Sequence, residues 1–142
     1  MVTALELTNK GKVKRMYALK IDNFSAKELE KIFIKHIDEN ATITTDKWRG
    51  YSPLKKVYNI EQRFSKNGQN FKELHIIIMQ LKSWLRAIPT HVSKWHIQAY
   101  FDEFCFRINR SQFKQNIFHK TIERMTESKP LFHKQIKQIL SV

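Results

Sequence analysis

Apolar and polar positions alternate near the start of the chain. Val13, Arg15, Tyr17, Leu19 and Ile21 stand against Lys12, Lys14, Met16, Ala18 and Lys20, the two-residue period of a half-buried strand. "VTALEL" precedes this run across the polar turn "TNKG", so the two segments predict a β-hairpin. The period then lengthens. Ser25 and Glu28 in "SAKE" form a capping box, and Leu29, Ile32, Phe33 and His36 or Ile37 follow at helical spacing, predicting a helix from about Ala26 to Asp38.

"ATITT" is short, β-branched and bounded by Asn40 and Asp46, which reads as a strand. Following a strand and a helix, it is expected to join the hairpin's sheet in parallel through a right-handed crossover. "IEQRF" is a candidate short edge strand and "SKNGQN" a loop. From Phe71 the pattern is helical: Phe71, Leu74, Ile78, Leu81 and Leu85 form an apolar stripe, Lys72, His75, Met79, Lys82 and Arg86 line another face, and Pro89 ends the run. A second long helix is predicted from near Ser93, with Ile97, Tyr100 or Phe101, Phe104 and Ile108 facing inward, and shorter helical patterns cover 112–126 and 131–140. This order, β-rich then α-rich with no linker and no repeat, predicts one α/β domain over residues 1–142.

Composition changes the picture in one respect. With 42% hydrophobic and 12% aromatic residues, the 142-residue chain has ample material for a core and is not a disordered segment. The charge stands apart: 26 Lys+Arg against 13 Asp+Glu give a net of +13. Self-repulsion of that size calls for an anionic partner, with DNA or RNA ahead of a membrane surface. No apolar stretch approaches the roughly twenty residues of a membrane span, and "MVTALELTNK" lacks the basic and apolar regions of a signal peptide. A single cysteine, Cys105, excludes an intrachain disulfide and fits a buried thiol in a reducing cytoplasm.

Few sites of chemistry present themselves. Three unclustered glycines make no phosphate loop, and neither CxxC nor HExxH occurs. Asp46 in "TDKWRGY" ends the β-branched run, where ligands of α/β sheets collect. It has two readings of equal standing: a turn residue leading into Trp48–Tyr51, or an oxygen ligand for a hard divalent cation. Lys47, Trp48, Arg49 and Tyr51 add cations and stacking groups suited to a nucleic-acid strand. His75 and Lys82 are seven apart, two turns along one helix face that Lys72 and Arg86 extend, whereas Glu73 lies about 200° round from His75. In "AYFDEFCFRINR", Glu103 and Arg107 have the i,i+4 spacing of a surface ion pair; the alternative gives Glu103 a supporting role and sets Arg107 and Arg110 on phosphates.

"TDKWRGY", "LKSWLR" and "YFDEFCFRINR", together with "KGKVKRMYALKI" and "FSAKEL", resemble the catalytic domain of ISXO-type DDE transposases of bacterial insertion sequences, in order from about Leu5 to Thr126. The resemblance implies a ribonuclease-H-like mixed sheet flanked by helices, with two divalent metals, Mg²⁺ or Mn²⁺, held by three ligands for attack on DNA phosphodiesters. Asp46 matches the second acidic ligand. His75 occupies the position of the third, where many relatives carry Glu, and Lys82 is the basic residue two turns on. The first acidic ligand belongs to a strand preceding those matched here, and Glu6 does not take its place. An N-terminally truncated catalytic domain is therefore implied, with DNA as partner and with an exposed sheet edge prone to self-association. Two alternatives stand beside it: a non-catalytic nucleic-acid-binding protein, and a small ribonuclease-H-like nuclease whose carboxylate set these residues do not complete.

Overall fold

The hairpin forms where the alternation predicts it. In the computed structural model, which describes residues 1–88, 92–111, 116–130 and 132, strand β1 (Val2–Leu7) pairs antiparallel with β2 (Val13–Leu19) around a turn closed by Thr8 and Gly11. Helix α1 (Ala26–His36) begins at Ser25, whose hydroxyl accepts the Glu28 N–H as the capping box requires. Strand β3 (Thr42–Thr45), β4 (Asn59–Gln62) and helices α2 (Lys72–Arg86), α3 (Ile97–Arg110) and α4 (Ile117–Glu127) follow. The chain is thus a mixed α/β protein. Residues 112–115 of the third predicted helical segment lie outside the described residues, as do Pro89 and nearly all of 131–140.

The sheet organisation differs from the expectation. β3 does not join the hairpin; it pairs in parallel with β4, from Thr42 beside Asn59 to Thr45 beside Gln62, and the described strands form two separate two-stranded sheets. "IEQRF" is therefore the partner of β3 through its first residues, and the crossover between them is the short helical stretch around Pro53.

Two compact units result, Met1–Lys20 with Ile77–Val142, and Ile21–Ile76. In the first, Met16, Ala18, Ile77, Leu81, Phe101 and Phe104 are buried together, with Leu5, Trp84, Ile97 and Ile108 packed around them. The row of β2 that turns inward is Met16 and Ala18, not the more apolar Val13–Ile21 row. The helix that docks on a strand decides its face, and α3 lies on this side through Phe101 and Phe104. On α2 the buried positions are Ile77 and Leu81, so the inward stripe is rotated by one residue from Ile78. α3 starts at Ile97, after a turn over residues 94–96, rather than at Ser93. In the second unit Leu29 and Phe33 of α1 meet Leu54 and Tyr58, and the Phe33 and Tyr58 rings stand edge to face at 5.2 Å.

α3 also satisfies the backbone of β2. The Asn109 amide accepts the Met16 N–H at 2.6 Å and donates to the Met16 carbonyl at 3.0 Å. Gln98 repeats the device, donating to the Ala18 carbonyl at 3.1 Å and accepting the Lys20 N–H at 2.7 Å. Cys105 lies between them on the same helix; burial pushes its thiol up, moderated by a hydrogen bond from the Ala18 backbone. The Met16 bonds are partly buried, so Asn109→Ala leaves a donor and an acceptor stranded together. It is predicted to lower unfolding free energy by about 1–3 kcal/mol, with Gln98→Ala costing less because water reaches the Lys20 bond. Urea titration checks this: the Asn109→Ala midpoint should fall the further of the two, at unchanged slope.

Candidate nucleic-acid interface

Parallel pairing brings the carboxyl ends of β3 and β4 side by side. The Arg63 N–H reaches the Thr45 carbonyl at 2.9 Å, so the two chains leave the sheet still joined. The residues just beyond the two strands are therefore held at one place: Asp46, Lys47, Trp48 and Arg49 after β3, Arg63 and Phe64 after β4. All six are exposed, Phe64 at 65% and Trp48 at 37%.

Asp46 shapes the loop that carries it. Its Oδ1 accepts the Trp48 N–H at 3.2 Å, the turn that short acidic side chains form with their own backbone. Gln62 fixes this turn to β4: its amide donates to the Asp46 carbonyl at 3.0 Å and to the Trp48 carbonyl at 2.9 Å. Gly50 is required by the same geometry, since a Cβ there would fall 2.0 Å from the Trp48 ring, which lies across it. The indole meets Tyr51 edge to face at 5.5 Å. Burial, and then the Asp46 charge, push the Tyr51 hydroxyl up, so it remains a neutral donor. The turn reading of Asp46 therefore holds, and with Oδ1 engaged by Trp48 its carboxylate still faces solvent.

The cations are free to meet a polyanion. Lys47 Nζ lies 5.7 Å from the centroid of the Phe64 ring, a loose cation–π contact that an incoming phosphate can replace. Arg63 reaches Glu61 at 3.0 Å in an exposed pair of small energetic weight. Gln62, Arg63 and Phe64 are not singled out by the sequence, because "IEQRF" by itself gives no sign that it pairs with the strand ending at Asp46.

His75 lies in the same unit as Asp46, exposed in the first turns of α2. Its ring covers the turn before the helix: Gly68 has φ +88°, and a Cβ there would come within 2.8 Å of His75 Cδ2 and Nε2. Lys72 is exposed one turn earlier. Lys82 and Arg86 are exposed on the part of α2 that belongs to the other unit, as are Arg107 and the half-buried Arg110 on α3. Arg107 is held by Glu103 in the i,i+4 ion pair, and Arg110 stacks on Phe106 at 3.8 Å. Slight burial, and then the neighbouring Arg124, push the Arg110 guanidinium down. Among the described residues no three His, Cys, Asp or Glu side chains gather into a metal-sized group. Asp46 and His75 thus do not amount to a metal centre by themselves. Nor is any helix among the described residues long and apolar enough to cross a membrane.

Comparison with known proteins agrees with the residue pattern. The family model of the ISXO2-like transposase domain matches residues 1–109. Neither a curated relative nor a solved structure matches the chain. The match takes in both sheets, the Asp46 loop and helix α2, and runs almost to the end of α3; the chain belongs to the ISXO2-like transposase domain family.

Proposed function

We propose that this chain is a DNA-binding transposase catalytic domain that grips the DNA backbone at the carboxyl ends of β3 and β4. The observation that carries the reading is the cluster of Lys47, Arg49 and Arg63 with two exposed aromatic rings, Trp48 and Phe64, around one carboxylate. Cations neutralise phosphates and release counterions, the rings offer faces to unpaired bases, and Asp46 keeps an acidic oxygen at the same spot. Lys72 adds a further cation within the same unit, and Lys82, Arg86, Arg107 and Arg110, in the other unit, are proposed as separate phosphate contacts. The ribonuclease-H-like fold belongs to the same proposal: an antiparallel hairpin and a parallel pair, separated by a helix, supply both pairings that a mixed sheet uses.

Strand cleavage and transfer are proposed only for a complete site. Mg²⁺ prefers several oxygen ligands, and among the described residues no three His, Cys, Asp or Glu side chains gather to hold one. The reading therefore has Asp46 contribute one oxygen ligand and His75 a flanking nitrogen once a further carboxylate is supplied. No bond-breaking step is assigned to residues 1–142 alone. The same shortage favours a second reading, a member of the family that binds DNA without cutting it.

Four outcomes test these statements. In fluorescence anisotropy with a labelled duplex, Lys47→Gln, Arg49→Gln and Arg63→Gln should each weaken binding and reduce the slope of log K against log salt by about 0.9; unchanged slopes would place the DNA elsewhere. Asp46→Asn keeps the acceptor for the Trp48 N–H and removes the charge, so metal-free binding should be equal or slightly tighter. If a chain completed with the family's acidic strand still joined DNA ends in the Asp46→Asn form, Asp46 would not be a ligand. Finally, Gly68→Ala strains a φ of +88° and displaces the His75 ring. Its His75 proton resonances should shift by NMR while those of His36 stay put; a silent His75 would contradict the packing.

A further inference from the structure

Each cation of the Asp46 loop follows a carbonyl that is held from outside the loop. The Asp46 carbonyl belongs to the peptide that leads into Lys47, and the Trp48 carbonyl to the one that leads into Arg49. Both accept from the same group, the side-chain amide of Gln62 on β4, at 3.0 and 2.9 Å. The Thr45 hydroxyl adds a second bond to the Asp46 carbonyl at 3.1 Å. A peptide unit is planar, so fixing its carbonyl fixes the direction from which the next residue departs. One amide nitrogen thus orients two peptide planes, and each plane leads into a cation.

The residue type fits this task closely. Two carbonyls face one nitrogen, so position 62 must present two donors on a single atom. Among uncharged side chains only Gln and the shorter Asn do so. Glu has the same shape and offers no donor when ionised. Packing alone does not call for an amide here. Ile60 and Gln62 are the two half-buried positions of β4, and an apolar side chain at 62 would serve the sheet as well.

We propose that Gln62 is a positioning residue for DNA contact: by clamping these two carbonyls to β4 it aims Lys47 and Arg49 at the phosphate backbone, without touching the nucleic acid itself. This role rests on the reading of the loop as the DNA-binding surface. Asp46 holds the turn from inside, through Oδ1 and the Trp48 N–H, and sets its shape. Gln62 holds it from outside and sets its place on the sheet. With the backbone before Lys47 and Arg49 already oriented, less freedom is lost when the two side chains meet a polyanion.

A double-mutant cycle on the full chain, read by fluorescence anisotropy with a labelled duplex, tests this. Gln62→Met keeps the size of the side chain and removes both donors. In the native background it should weaken binding about threefold or more. In a chain already carrying Lys47→Gln and Arg49→Gln it should cost nothing further, because no cation is left to aim. By NMR of the free Gln62→Met protein, the Lys47 and Arg49 amide resonances should move while the Leu54 methyls of the same unit keep their native positions. No loss in the native background, an equal loss in both backgrounds, or displaced Leu54 methyls would overturn the role of Gln62 and leave the DNA reading standing. Native binding by the Lys47→Gln, Arg49→Gln chain would instead overturn the DNA reading, and the role of Gln62 with it.

Discussion

The candidate DNA surface depends on one backbone pairing, the parallel register of β3 with β4. Because Thr45 lies beside Gln62, the Arg63 N–H bonds the Thr45 carbonyl and the Gln62 amide reaches across to the Asp46–Trp48 turn. Slip the register by one residue and Gln62 turns to the other face, the turn loses both its external bonds, and Arg63 with Phe64 leaves the neighbourhood of Asp46. The proposed contacts of Lys47, Arg49 and Arg63 depend on two short strands ending together. Gly50 and Trp48 then complete the loop by packing rather than by hydrogen bonding, with the indole lying where any side chain at position 50 would stand.

The hairpin unit is held by a different means. Among the described residues no third strand joins the hairpin, and along β2 the amides of Asn109 and Gln98 take the outward backbone groups. This closes one edge with two side chains eleven residues, about three turns, apart on α3. The other edge has no such cover among the described residues.

Local signals carried much of this. The hairpin, the Ser25 cap, the strand ending at Asp46 and the inward residues Phe101 and Phe104 were all legible, because each depends on period or on chemistry within a few residues. Sheet assignment was not, since nothing in "ATITT" distinguishes pairing with β2 from pairing with β4. For the same reason Arg63 and Phe64 escaped notice: their relevance comes from a partner strand about seventeen residues away. The inward face of β2 was not legible, because Met16 and Ala18 share their row with Lys12, Lys14 and Lys20 and only the docking of α3 selects them. For Asp46 the structure shows the turn, with one oxygen accepting the Trp48 N–H, while the ligand reading stays a proposal. The family resemblance gathered from "TDKWRGY" and "YFDEFCFRINR" agrees with the family match, while the roles it lends to His75 and Lys82 remain proposals.

The central claim is that DNA lies across the ends of β3 and β4. At 17.1 kDa the chain suits amide-resolved NMR, and a titration with a short duplex reports the surface directly. The account predicts that the largest shifts fall on residues 46–51 and 62–65, with smaller ones along the exposed face of α2. Shifts confined to α1 and the β1–β2 turn, with the Asp46 loop unmoved, would contradict it.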